Sequence, residues 1–183
     1  MTFLFNTERL QVRPLNMSDI SALHKMHSNP NVMQYTGDAP KSIKENHEDL
    51  VHVIASYTKP NNNFWVWAIE RKTDSKVVGT CALLKTKPEP SEEAEDEIGY
   101  RFLEKYWGNG YGSEITIGLL NYAFTKFSKT NLVAEVDELN IASVKILEKH
   151  MTFVKAYYSE EYKSNDRKYV IDKTTFFSQN PAQ

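Results

Sequence analysis

The chain of 183 residues carries 22 Lys and Arg against 24 Asp and Glu, with 40% hydrophobic and 25% charged residues. This composition is typical of one globular domain and argues against disorder, while the net charge of −2 argues against direct binding to nucleic acid. A single cysteine, Cys81, excludes an internal disulfide. Without a signal-peptide start or an apolar run of ~18 residues, we expect a cytoplasmic protein that enters no membrane.

The first third of the chain predicts one strand and two helices. Residues 8–15 alternate between apolar and charged side chains, which is typical of a half-buried strand. A helix with Ser18 or Asp19 as its cap follows, and Ser42 with Glu45 has the spacing of a capping box that begins a second helix. The predicted apolar stripe of this second helix is Ile43, His47, Leu50, Val51 and Ile54.

The rest of the chain predicts a mostly antiparallel sheet with further helices. In order, the elements are a hairpin (64–69 and 77–84), a strand (97–102), a glycine turn (108–112) with a long helix, a strand (132–136), a short helix (141–149) and two strands (153–158 and 168–171). Together they predict a single α/β (α+β) domain, in which about four helices flank a mixed sheet.

The glycine turn, residues 108–112, is the strongest chemical signal. Unpaired N–H groups at the start of a helix attract anions, and glycines let the backbone approach a bound phosphate. The turn therefore indicates a phosphate-bearing ligand, although glycines could also serve the turn alone. No Gly-Lys-Ser/Thr follows, and no third glycine stands at the dinucleotide position, which weakens the case for either nucleotide-binding motif.

A set of short motifs spread over residues 7–169 carries a second signal. They are Thr7-Glu8-Arg9-Leu10, Arg13-Pro14-Leu15, Glu97-Ile98-Gly99-Tyr100, Tyr106 to Glu114, Asn140 to Ser143, and Leu147-Glu148-Lys149. The set resembles the GNAT N-acetyltransferase superfamily, most closely its RimJ/RimL-type branch of ribosomal-protein N-terminal acetyltransferases. Trp107 takes the Gln/Arg position of the acyl-CoA pyrophosphate motif, and residues 148–153 lack the glycine usual in the family.

The resemblance implies a sheet whose two middle strands splay apart, with acetyl-CoA in the opening and no metal. The backbone of Tyr100 to Leu103 is expected to pair with the pantetheine arm, and the amide of Phe102 or Leu103 to polarise the thioester carbonyl. The implied acetyl-CoA-binding residues are Tyr100, Phe102, Leu103, Trp107, Asn109, Gly110, Tyr111, Gly112, Ser113 and Asn140.

Glu97, at the start of its predicted strand, is the candidate general base. Acetyl transfer needs a neutral amine, so an ammonium acceptor must first lose a proton. The alternative is a solvated carboxylate within the surrounding acidic loop, which contains Glu89, Glu92, Glu93, Glu95 and Asp96. In either case the carboxylates favour a cationic amine as acceptor.

Asn140 and Ser143 are three residues apart and share one face of a helix. A plain helix cap explains Asn140 equally well. The resemblance implies instead that Asn140 binds the coenzyme arm and that Ser143 is a general acid near the sulfur. It also places Tyr35, within the loop over 31–40, in the wall of the acceptor pocket, with surface packing as the alternative.

Several other candidates are assigned to structure. His24 and His27 have no carboxylate or cysteine partner at ligand spacing, so we expect no metal site there. Cys81 lies in an apolar strand and is expected in the core, as are Trp65 and Trp67.

The sequence thus predicts one acetyltransferase domain over residues 1–177 with a C-terminal tail over 178–183. The expected reaction is direct transfer from acetyl-CoA to a primary amine in a ternary complex. The favoured acceptor is a protein N-terminus, such as that of a ribosomal protein. The alternatives are a small amine (an antibiotic or a polyamine) or a non-catalytic acyl-CoA sensor. The chain could be a monomer or a homodimer, since nothing in it demands pairing of a sheet edge.

Overall fold

The computed structural model describes residues 2–86 and 93–181 as a single α/β domain. Its strands are β1 (Phe5–Asn6), β2 (Leu10–Pro14), β3 (Phe64–Arg71), β4 (Lys76–Lys85), β5 (Asp96–Phe102), β6 (Asn131–Asp137), β7 (Thr152–Ser159) and β8 (Ser164–Asp172). Its helices are α1 (Ile20–His27), α2 (Pro30–Met33), α3 (Ile43–Ser56), α4 (Tyr111–Lys126), α5 (Ile141–His150) and α6 (Lys173–Gln179).

One eight-stranded sheet runs through the domain in the order β1-β2-β3-β4-β5-β6-β8-β7. Neighbouring strands are antiparallel except β5 and β6, which are parallel and pair only at Glu97 and Val133. Beyond that pair the two strands diverge, so the sheet opens in its middle. This confirms the predicted mixed sheet with a splayed pair of strands.

The helices cover both faces of the sheet. Successive side chains of a strand point to opposite faces, and on β5 the hydroxyl of Tyr100 lies 3.4 Å from Ser143 of α5, whereas the guanidinium of Arg101 lies 3.5 Å from the sulfur of Met33 of α2. Helices α4 and α5 therefore lie on one face, and α1, α2 and α3 lie on the other.

Two expectations differ from the structure, and a third holds only in part. The described residues form six α-helices instead of about four, because a short helix, α2, interrupts the predicted loop and α6 follows the last strand. Helix α6 ends at Gln179, so its last two residues lie within the segment predicted as a tail. Asp19 is the N-cap residue of α1, as predicted, but its side chain makes no capping hydrogen bond to that helix; the side-chain cap belongs to a short 3-10 turn (Met17–Asp19) just before it, where Asn16 accepts the N–H of Ser18.

The described segments, 2–86 and 93–181, contain no helix that is both long and apolar enough to cross a membrane.

Candidate active site

A cavity of about 730 Å³ occupies the opening between β5 and β6. Its walls come from α2 and the loop after it, from β5, from the glycine turn, from the end of β6 and from the first turns of α5. Ten of the predicted site residues line it: Tyr35, Glu97, Tyr100, Phe102, Trp107, Gly110, Tyr111, Gly112, Asn140 and Ser143. The other three, Leu103, Asn109 and Ser113, lie just outside the lining.

The glycine turn has the backbone that its sequence requires. Gly108 and Gly110 have φ values of 74° and 76°, in the left-handed region that side chains disfavour. Gly110 caps α4, so the first N–H groups of this 16-residue helix have no partners within the helix, and Gly110, Tyr111 and Gly112 all line the cavity. The side-chain amide of Asn109 donates to the carbonyls of Tyr106 and Trp107, both at 3.0 Å. Asn109 therefore shapes the turn with its side chain.

A clamp from the N-terminus holds this turn in place. Glu114, in the first turn of α4, accepts the hydroxyl of Thr7 at 2.5 Å and both the backbone N–H and the Nε of Arg9 at 2.7 Å. The Nη1 of Arg9 also donates to the carbonyl of Asn109 at 2.9 Å, and the guanidinium lies 4.8 Å from the ring centre of Tyr111. Sequence reasoning missed this clamp, because its two sides are about a hundred residues apart.

Gly112 lies in a closely packed part of the turn. A Cβ at this position would lie 2.7 Å from Cδ1 of Ile146 and 3.3 Å from the ring of Tyr100. The space at residue 112 is therefore tight, although the nearest atom belongs to the end of the flexible Ile146 side chain, which can shift.

The chain around residues 148–153 passes from helix to strand without a glycine. Helix α5 continues to His150, Met151 is extended and buried, and β7 begins at Thr152. The Nε2 of His150 lies 2.6 Å from the hydroxyl of Ser113, so a side chain from the end of α5 reaches the start of α4. His150 is a further neighbour of the turn that the motif comparison did not predict.

The edge of β5 that faces the opening has free backbone groups. The N–H of Leu103 donates to the carbonyl of Val78 on β4 at 2.9 Å, so it is not available to a thioester. Because hydrogen-bonded positions alternate along an antiparallel pair, the N–H groups of Tyr100 and Phe102 point away from β4, toward the opening. Of the two amides considered for the carbonyl, the geometry therefore retains that of Phe102.

Glu97 lies where β5 and β6 part, and its side chain is partly buried. Burial raises the pKa of Glu97 to about 7, and the negative charge of Glu135 acts in the same direction. A backbone N–H of Glu135 bonds to the Glu97 carboxyl, which opposes the rise, as does the charge of Lys168. A carboxyl that titrates near neutral pH can both accept and release a proton during turnover.

A second carboxylate, Glu135 on β6, lines the cavity beside Glu97. It accepts the hydroxyl of Tyr157 at 2.6 Å, and its other oxygen lies 3.9 Å from Nζ of Lys168, which also pairs with Glu95. Sequence reasoning missed Glu135, although a charged residue within the apolar run 132–136 was a signal for it. Glu89 and Glu92 of the predicted acidic loop lie outside the described residues.

Asn140 caps α5, since its side-chain oxygen accepts the N–H of Ser143 at 3.2 Å. The cap role uses only the oxygen, so the amide nitrogen of Asn140, a residue of the cavity lining, remains a donor for a ligand. The hydroxyl of Tyr100 donates toward Ser143 at 3.4 Å, and burial raises the pKa of Tyr100. Two hydroxyl groups thus meet on the α5 side of the opening.

The loop after α2 forms the opposite wall, with Tyr35 half-buried in the lining. Gly37 in this loop has a φ of 70°, and a Cβ there would overlap the ring of Tyr162, in the turn between β7 and β8. The loop after α2 therefore packs against the turn between β7 and β8.

The residues assigned to structure lie apart from the cavity. The ring nitrogens of His27 and His24 both face Asn46, at 2.7 and 3.3 Å. Cys81 and Trp67 are buried in the core, whereas Trp65 is only partly buried. In the part of the chain that the structure describes, no group of His, Cys, Asp or Glu is arranged to hold a metal ion.

Comparison with known proteins agrees with this geometry. A family model described as acetyltransferase (GNAT) domain matches residues 9–150. Among curated proteins, the chain is 31% identical over 143 residues to the uncharacterised N-acetyltransferase p20 of Bacillus licheniformis, and the match covers 77% of each chain.

Solved structures share the fold at low identity. RimL, the ribosomal L7/L12 alpha-N-protein acetyltransferase in complex with coenzyme A, has a TM-score of 0.77 and 18% identity, covering 93% of this chain and 98% of RimL. Spermidine N-acetyltransferase of Vibrio cholerae, in complex with CoA and spermine, has a TM-score of 0.77 and 18% identity, covering 92% of this chain and 98% of that one. These likenesses extend to the fold and do not choose between acceptors.

Proposed function

The chain belongs to the GNAT acetyltransferase family, and from this premise we propose that it transfers the acetyl group of acetyl-CoA to the primary amine of a protein N-terminus. The observation that carries the proposal is the position of Glu97, a partly buried carboxyl with a pKa of about 7, in the cavity that also contains the splayed edge of β5 and the glycine turn. The wider assignment, that the protein is an acetyltransferase, follows from the family itself.

Three features of the cavity suit acetyl-CoA. The unpartnered N–H groups at the start of α4 suit its pyrophosphate. The outward-facing backbone of Tyr100 and Phe102 suits the amides of the pantetheine arm, as an added strand would. Asn140 offers its amide nitrogen on the far side of the opening. When bound, acetyl-CoA supplies the acetyl group as a thioester.

The chain's residues then have three tasks. Glu97 takes a proton from the acceptor ammonium, so that the neutral nitrogen can form a bond to the acetyl carbon. The N–H of Phe102 donates to the carbonyl oxygen as negative charge develops on it. As the carbon–sulfur bond breaks, Ser143 donates a proton to the sulfur and is supported by the hydroxyl of Tyr100. The acylated nitrogen gives up its extra proton, which restores the Ser143 hydroxyl. No covalent bond between enzyme and acetyl group is needed.

The acceptor end of the cavity favours an amine. Glu97 and Glu135 both line it, and carboxylates attract an ammonium group before it is deprotonated. The likeness to RimL supports a protein N-terminus, whereas the likeness to spermidine N-acetyltransferase supports a small polyamine as the second candidate.

The experiment is acetyl-CoA-dependent thiol release across three acceptor classes: peptides with different N-termini, polyamines and aminoglycosides. We expect release with peptides, and we expect Glu97→Gln to reduce it while calorimetry finds acetyl-CoA bound as in the wild type. Release with polyamines alone would replace the protein acceptor by the second candidate. No release with any acceptor would reject the proposal for all three classes.

A further inference from the structure

Arg101 has an unusual environment for a half-buried arginine. Its side chain points from β5 toward α2 and lines the cavity, and its Nη1 lies 3.5 Å from the sulfur of Met33, a weak acceptor. In residues 2–86 and 93–181, no carboxylate lies within ion-pair distance of the guanidinium. The exposed Asp38 acts on it only from farther away.

The other four arginines of the chain all have a carboxylate partner. Arg9 pairs with Glu114, Arg71 with Asp74 and Arg167 with Glu148. Arg13, which is 5% exposed, is held between Asp19 and Glu70, each at 2.8 Å. Burying an unpaired charge is costly. The position of Arg101 therefore indicates that its guanidinium pairs with an anion that is not among the described residues.

The phosphates of a coenzyme bound at the glycine turn would lie on the other face of β5, away from the Arg101 guanidinium. Tyr100 and Phe102, which alternate with Arg101 on β5, face α4 and α5, and the ring of Phe102 lies 6.1 Å from that of Tyr111 at the glycine turn. Arg101 points to the opposite face, where α2 and the loop after it lie. An anion bound by Arg101 would therefore lie on the face of β5 opposite the glycine turn.

We propose that the acceptor is an amine that also carries a carboxylate, and that Arg101 binds the carboxylate while the amine lies at Glu97. This inference rests on the proposed function and narrows its acceptor. Glu97 and Arg101 are four residues apart on one face of β5, so their Cα atoms are ~13 Å apart. Both line the cavity. A peptide with an acidic residue close behind its N-terminus has this chemistry, as does an ω-amino acid, whereas a polyamine does not.

The test uses pairs of acceptors in which only one member carries the carboxylate. Peptides with Glu or Gln at the second, third or fourth position form one arm. The second arm consists of ω-amino acids of graded length, each matched with the diamine of equal length. We expect kcat/KM to favour the carboxylate-bearing member by roughly tenfold to a hundredfold, as a charged hydrogen bond would give. The arm with the larger preference tells whether the acceptor is a peptide or a small molecule.

Variants then assign the preference to Arg101. In Arg101→Gln the preference should fall to near unity, and in Arg101→Glu it should reverse toward peptides with Lys at the same position. Lys44→Gln, which removes a positive charge from an 85% exposed side chain on α3, should keep the wild-type preference. A purely structural role for Arg101 would instead lower the melting temperature and leave the preference intact.

Failure of this inference can be told from failure of the proposed function. Turnover of acidic and neutral peptides at equal kcat/KM would overturn the role of Arg101 and leave the acetyltransferase proposal standing. If no acceptor is turned over, calorimetry of the Glu-bearing and Gln-bearing peptides with the protein saturated with CoA decides the matter. Tighter binding of the Glu peptide to wild type, lost in Arg101→Gln, supports the inference; equal binding overturns it.

Discussion

Arg9 and Glu114 are joined by two hydrogen bonds of 2.7 Å, one from the backbone N–H and one from Nε of Arg9, across about a hundred residues of chain. The pair links the start of β2 to the first turn of α4. Because Nη1 of Arg9 also reaches the carbonyl of Asn109, the same side chain fixes the glycine turn at two points. The connection between β1 and β2 therefore holds the backbone of the proposed pyrophosphate site in place.

Loss of this clamp should weaken coenzyme binding. We expect Arg9→Ala and Glu114→Gln each to raise the dissociation constant of acetyl-CoA about fivefold, since a partly exposed pair contributes ~1 kcal/mol. Calorimetry measures the constant, and Lys44→Gln, remote on α3, is the control for loss of a charge. Wild-type affinity in both clamp variants would show that the turn keeps its shape without Arg9.

Glu97→Gln should lower turnover much more than acetyl-CoA affinity. A general base contributes ~100-fold or more to the rate, and Gln cannot accept the proton. Since burial raises the pKa of Glu97 to about 7, wild-type kcat should rise as pH increases through that value. The rising limb should be absent from the variant. Equal turnover of the two proteins near neutral pH would remove Glu97 from the mechanism.

The same carboxyl makes stability depend on pH. Its pKa in the folded protein is raised above the ordinary value of 4.5, so folding favours the protonated form. The stability that this preference contributes is complete below pH 4.5 and is lost as pH rises through about 7. We therefore expect Glu97→Gln to increase the free energy of unfolding relative to wild type at pH 8 by ~1–3 kcal/mol, with a smaller difference at pH 5. Urea unfolding at the two pH values measures it. A variant equally less stable at both would contradict the burial of the charge.

The local signals in the sequence predicted the order of the elements and most of the cavity. The capping box of Ser42 and Glu45, the glycine turn and the hairpin of β3 and β4 all depend on neighbouring residues, which a sequence displays directly. The resemblance then placed Glu97 at the opening of the sheet. Each of these features can be predicted without knowing which distant residues are in contact.

Features that depend on distant partners were missed. The buried face of α3 contains Asn46, Leu50, Val53 and Ser56, whereas Ile43 and Val51 of the predicted stripe are 53% and 46% exposed. Asn46 could be buried because it bonds to His27, and Ser56 because it bonds to the carbonyls of residues 53 and 64. Likewise Arg13, predicted on the polar side of its strand, is buried between two carboxylates. Polar partners supplied by tertiary contacts reversed the apolar pattern in each case.

Ser143 and Tyr100 should act together on the departing thiolate. We expect Ser143→Ala to lower kcat by ~10-fold or more, with acetyl-CoA affinity nearly unchanged. Tyr100→Phe removes the hydroxyl that lies 3.4 Å from Ser143 and should have a smaller effect of the same kind. If the two hydroxyls form one relay, the double variant will be no slower than Ser143→Ala. Ser178→Ala on α6 is the matched control. Undiminished thiol release by Ser143→Ala would argue against a role as acid.

Variants at Gly112 can show whether residue 112 is a glycine because of close packing or because of ligand binding. A Cβ there would lie 2.7 Å from the end of the Ile146 side chain and 3.3 Å from the Tyr100 ring, and the two further methyl groups of a valine need more space than an alanine. We expect Gly112→Val to lose ~1–3 kcal/mol of stability from overpacking, and Gly112→Ala to lose less. Adding Ile146→Val, which removes the Cδ1 atom, should restore the melting temperature of Gly112→Ala. If acetyl-CoA affinity by calorimetry stays low in this restored protein, the glycine is needed for the ligand as well. If affinity returns with stability, close packing alone explains why residue 112 has no side chain.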